Sequence, residues 1–98
     1  MNMEAGAYHN EGQDTLTVIH SKKTEPLRQC VKDAMQRYFN HLDGHGAANL
    51  YRLVMNEVEA PLLESVMQHT GGNQTQAATL LGISRSTLRK KLSQYGLD

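Results

Sequence analysis

The chain has 98 residues, ten basic and ten acidic side chains, and 39% hydrophobic residues. That length makes one domain the natural expectation and leaves little room for a catalytic domain beside a binding one. No apolar run approaches the ~18 residues of a membrane span, no basic-then-apolar signal opens the chain, which makes the cytoplasm the default, and the single cysteine, Cys30, excludes an internal disulfide and a cysteine-cluster metal site.

Residues 1–14 are polar and lack periodicity, so a mobile tail is expected there. Thr15-Leu16-Thr17-Val18-Ile19 is a short β-prone run. Six residues separate it from Pro26. A full return strand barely fits in that interval, and no hairpin is expected. Thr24-Glu25-Pro26 reads as a helix start, with a cap residue, an early acid and a first-turn proline. Leu27, Cys30, Val31, Ala34, Met35, Tyr38, Phe39 and Leu42 then follow at three- and four-residue spacing, the mark of an amphipathic helix. Cys30 lies on that stripe as a small buried hydrophobe. Asp43-Gly44-His45-Gly46 ends the helix.

A second helix is expected over 47–70. Its apolar residues, from Leu50 and Tyr51 to Val66 and Met67, spread around more than half the circumference. A helix that apolar is buried on several sides. One other long helix per chain cannot cover it, so a second protomer is expected. Pro61 removes one backbone donor and crowds the Glu57 carbonyl, which predicts a kink rather than a break. Met35, Met55 and Met67 read as core.

Gly71-Gly72 stops the second helix, and Asn73 caps a third over Gln74–Leu81, with Gln76 placed as in a capping box. Gly82 turns the chain. Ser84 caps a fourth helix over 85–95, and Gly96 ends it. Two short helices joined by a tight glycine turn make a helix-turn-helix. Ala77 and Ala78 let the helices approach closely. Leu81, Ile83, Leu88 and Leu92 form the small core between them.

The neutral total conceals an asymmetry. Residues 71–98 carry Arg85, Arg89, Lys90 and Lys91 against Asp98 alone, whereas the first 25 residues are net acidic. With Leu88, Leu92 and Tyr95 inward, Lys90 points outward and Thr87 and Arg89 flank it. A helix with that surface fits a DNA major groove. Asn73, Thr75 and Ser84 lie at helix N-termini, which suit phosphate oxygens. Asn73 and Ser84 also serve as plain caps. The stems of Arg85 and Lys91 lie at the edge of the apolar face and cover it.

The run GNQTQAATLLGISRSTLRKKLSQYGL, residues 72–97, resembles the C-terminal end of the Fis (factor for inversion stimulation) family of bacterial nucleoid proteins. PLRQCVKDAMQRYFNHLDG, residues 26–44, and VEAPLLESVMQHTGGNQT, residues 58–75, are similar to it too. The resemblance implies an all-α fold of four helices. It implies an intertwined homodimer core over 26–70, a helix-turn-helix DNA-binding unit over 71–98 and a short flexible N-terminal arm over 1–25. It implies two DNA-binding units closer together than one DNA turn, so that AT-rich duplex sites are bent and chosen largely by deformability. By the same resemblance Arg85 reads a base edge beside Thr87 and Lys90, and Asn73, Thr75 and Arg89 hold phosphates. Ser84 and Lys91 complete the expected contact set.

Gly71, Ser93 and Gln94 stand where the family usually carries basic residues. Family members often carry an N-terminal β-hairpin arm that stimulates a site-specific recombinase, and that arm is expected to be shortened here. The implied partners are double-stranded DNA and a second copy, with recombinase and RNA polymerase as further candidates. The implied setting is the cytoplasmic nucleoid, with no cofactor, metal or catalytic residue. His41, Asp43 and His45 do not make a four-ligand zinc set. Two competing readings share parts of the pattern. One is a small helix-turn-helix regulator similar to the output domain of enhancer-binding activators. The other is a helical adaptor acting through its N-terminal arm.

Overall fold

A computed structural model of the chain describes residues 6–9, 16–20, 23–42, 46 and 48–98. It is mostly helical. Two compact units divide it, spanning Met1–Ala47 and Ala48–Asp98.

Among the described residues the first unit holds three strands and one helix: β1 (Gly6–His9), β2 (Leu16–His20), β3 (Lys23–Pro26) and α1 (Leu27–Asn40). The strands form an antiparallel sheet in the order β1-β2-β3. Gly6 pairs with Ile19 and His9 with Leu16, while Thr17 pairs with Pro26 and His20 with Lys23. This corrects two expectations. The interval before Pro26 does hold a return strand, because β2 and β3 are joined by only two residues and Pro26 itself closes β3. Proline tolerates that place: its φ of −61° and ψ of 146° are extended, and strand ends accept a residue without an N–H. The tail expected over 1–14 contains strand β1, and its other residues lie outside the described ones.

Thr24 and Glu25 belong to β3, so α1 starts at Leu27 with no side-chain cap. The residue before a proline favours extended backbone, which explains why helix does not begin at Thr24. None of α1's residues is buried. Cys30 is half-buried rather than sealed, and its thiol donates to Glu25 Oε1 at 3.1 Å. That bond, with partial desolvation and the charges of Glu25 and Asp33, pushes the thiol's pKa up. Of the expected turn over 43–46, residues 43–45, with Asp43 and His45 of the metal reading, lie outside the described residues.

The second unit holds α2 (Leu50–His69), α3 (Gln74–Leu81) and α4 (Arg85–Gln94). α2 runs through Pro61 without interruption. Its C-terminus closes with the Gly72 N–H donating to the Met67 carbonyl at 2.9 Å and the Gly71 N–H to Gln68 at 3.2 Å. These satisfy carbonyls the helix leaves open. Leu63, Ala77, Ala78, Leu88 and Leu92 form the buried core, ringed by Val66, Met67, Leu81, Ile83, Tyr95 and Leu97. Sealing each of the three leucines contributes about 1.5–3 kcal/mol. Apolar residues of α2 outside that core stay open: Tyr51, Leu53, Met55, Val58 and Leu62 are exposed, Tyr51 at 79%. Met55, expected in the core, is therefore on the surface of the single chain. No helix of the described residues is long and apolar enough to cross a membrane.

Candidate nucleic-acid interface

The exposed basic surface belongs to α4, and α3 and the Gly82 turn hold α4 in place. Asn73 starts α3 by accepting the Gln76 N–H on Oδ1 at 3.0 Å. Its side-chain NH2 has no partner among the described residues. Gly82 ends α3 at φ 76°, in the left-handed region where a side chain costs strain. The Ile83 N–H then reaches back to the Ala78 carbonyl at 3.1 Å, which drops Ile83 against the core. Ala77 is 0% and Ala78 4% exposed, so the small-residue contact expected between the helices is present.

Ser84 caps α4. Its Oγ accepts the Thr87 N–H at 3.1 Å and donates to Thr87 Oγ1 at 2.8 Å, with Ser86 Oγ 3.1 Å away. Beneath, Leu88 and Leu92 are fully buried. Above, Arg85, Ser86, Thr87, Arg89 and Lys90 are exposed. Among the described residues no ion pair engages Arg85, Arg89 or Lys90. α4 carries no acid, and its N-terminus adds partial positive charge. Ten residues span about 15 Å, and the major groove is about 12 Å wide. Asn73 and Thr75 are exposed beside the start of α3. A shallow concavity of about 470 Å³ brings Gln74 of α3 together with Ser86, Arg89, Lys90, Ser93 and Asp98.

Lys91 stands apart from the other cations. Its Nζ lies 2.8 Å from Glu59 Oε2 on α2. The Tyr95 hydroxyl donates to the other oxygen of the same carboxylate at 2.7 Å and lies 3.2 Å from Asn56 Oδ1. The bonds from Lys91 and Tyr95 pull the Glu59 pKa below the usual carboxylate range. The bond to Glu59 pushes the Tyr95 hydroxyl's pKa up, aided by partial burial and the carboxylate charge.

A family model described as "Bacterial regulatory protein, Fis family" matches residues 54–95, and one described as "DNA-binding protein Fis N-terminal domain" matches residues 1–47. The DNA-binding protein Fis of Actinobacillus succinogenes is 58% identical over 86 residues, covering 85% of this chain and 87% of the relative. That of Glaesserella parasuis is 58% identical over 72 residues, covering 74% of each. That of Buchnera aphidicola is 49% identical over 96 residues, covering 90% and 97%.

The chain belongs to the Fis family.

The match to Fis extends further than the stretch from Pro26 onward, since the N-terminal family model begins at residue 1. Within the Fis helix-turn-helix, the caps at Asn73 and Ser84 and the outward Arg89 and Lys90 were legible from spacing, whereas Arg85, which spacing puts at the edge of the apolar face, was singled out only by the family resemblance. The Glu59 contacts were not legible. Two signals could have found them: a half-buried tyrosine needs a hydroxyl partner, and Lys91 and the C-cap residue Tyr95 are four apart, hence on one side of α4.

Proposed function

We propose that this chain acts as a homodimer that binds and bends AT-rich double-stranded DNA, in nucleoid organisation and transcription regulation. The observation that carries the reading is the trio Arg85, Arg89 and Lys90, exposed and unpaired among the described residues, on a helix that N-capping and a leucine core hold rigid. The relatives' own name, DNA-binding protein Fis, supports it. In this reading Arg85 meets a base edge with Thr87 and Lys90 beside it, and Asn73, Thr75, Ser84 and Arg89 meet phosphates. Lys91, expected among the contacts from sequence, is held by Glu59.

The exposed stripe Tyr51, Met55, Val58 and Leu62 supports the second copy. Its spacing of four, three and four residues aligns one face of α2, as helix pairing requires. Two copies bring six exposed cations from α4, and each phosphate contact adds about −0.9 to the slope of log K on log salt. The pairing of β2 with β3 favours a hairpin arm and keeps recombinase contact within the proposal. RNA polymerase contact and a nucleoid location rest on the Fis resemblance. No catalytic step, cofactor or metal is assigned.

The test is mobility of the complex on circularly permuted fragments sharing one AT-rich site. A bending dimer gives mobility that depends on site position. A complex whose mobility ignores position is a plain helix-turn-helix regulator. No complex at low salt overturns the DNA-binding reading.

A further inference from the structure

The geometry points to Glu59 as a positioning residue that fixes the rotation of α4 through Lys91 and Tyr95. The inference rests on the DNA-binding reading and adds a residue to it that never touches DNA. Leu88 and Leu92 seat α4 on the core, but apolar contact is non-directional and tolerates small rotations. Hydrogen bonds do not. Both oxygens of one carboxylate are used, one by Lys91 at 2.8 Å and one by Tyr95 at 2.7 Å. Asn56, three residues before Glu59 on α2, adds a contact to the Tyr95 hydroxyl at 3.2 Å. Two attachment points one turn apart, Lys91 on α4 and Tyr95 at its C-cap, define both the roll of α4 and its height along α2.

Arg89 and Lys90 immediately precede Lys91, so the direction in which they leave the helix follows from where Lys91 is tied. A binding group displaced by more than about 0.5 Å from its productive geometry loses much of its effect. Lys91 is then a strut. Its charge faces a carboxylate and adds little to counterion release, which separates it from its neighbour Lys90.

The test combines salt dependence with discrimination, the ratio of affinities for an AT-rich site and a random duplex of equal length. Lys90→Met should flatten the slope of log K on log salt by about 0.9 per phosphate contact removed. Lys91→Met keeps the stem that covers the apolar edge, and should leave the slope unchanged while lowering discrimination. Tyr95→Phe, which changes no charge, removes the contacts to Glu59 and Asn56 and should lower discrimination about fivefold. A slope that flattens in Lys91→Met as it does in Lys90→Met overturns the inference, as does full discrimination in Tyr95→Phe. Hydrogen exchange of the α4 amides in the free protein gives a readout without DNA. Glu59→Gln should speed exchange at 91–95, and unchanged exchange there rules the brace out. If the unaltered chain binds no duplex, the DNA-binding reading fails and the positioning role with it, while the exchange result still decides whether the brace exists.

Discussion

α1 and α4 begin from similar material and end differently. Both space apolar residues three and four apart. In α4 that stripe is sealed, with Leu88 and Leu92 at 0% exposure; in α1 no residue is buried and Phe39 is 52% exposed. α4 opens on the Ser84 cap and closes with the Leu97 N–H on the Leu92 carbonyl at 2.8 Å. α1 opens on Pro26 with no side-chain cap. The lesson is that periodicity defines a face and leaves open what covers it. The cover of α4 is local, from α2 and α3 in its own unit. β2 and β3 pack on α1 within its unit and leave its stripe half open.

The largest expected effects test that contrast directly. Leu92→Ala should cost about 2–5 kcal/mol in chemical denaturation, because it opens a cavity in a sealed core. Phe39→Ala should cost about 1 kcal/mol in dilute chains, since half its surface already meets water. If a second copy covers α1, the Phe39→Ala penalty and the unfolding midpoint both rise with protein concentration. Equal penalties at high dilution would break the contrast.

Function should divide along the same line. Arg85→Ala should weaken binding to a specific site by about 1–3 kcal/mol and relax preference at one base position, with unfolding unchanged. Titrations against single-base variants of the site check this. Asn73→Ala should cost about 1 kcal/mol of stability through the lost cap, read by thermal unfolding.

The smallest effect concerns pH. The Glu59 pKa is lowered by folding, so the folded state binds its proton less readily than the unfolded chain does. Its contribution is full above the ordinary carboxylate pKa and is lost as pH falls through the lowered folded value. Stability measured across that acid range should fall less steeply in Glu59→Gln. An identical acid slope would mean that Lys91 and Tyr95 do not depend on the carboxylate charge.

Much of the second unit was legible because its determinants are local. Asn73, Gly82 and Ser84 act within a few residues, and α3 has the expected bounds. What escaped was of two kinds, one local and ambiguous, the other non-local. The β2–β3 pairing depends on Pro26 serving as strand end rather than helix start, and proline's fixed φ suits both. The Glu59–Lys91 contact joins residues far apart in sequence, and a charged pair leaves no periodic signature. The open face of α2 was visible as an excess of apolar residues, with Tyr51 and Val58 now assigned to it.

The central claim is that the outward cations of α4 hold DNA. The most direct measurement is titration of an AT-rich duplex with the unaltered chain and with an Arg85→Ala, Arg89→Ala, Lys90→Ala variant whose helicity and unfolding midpoint match it. Tight, salt-sensitive binding is expected of the first and none of the second at any salt concentration. Undiminished binding by the variant would contradict the central claim.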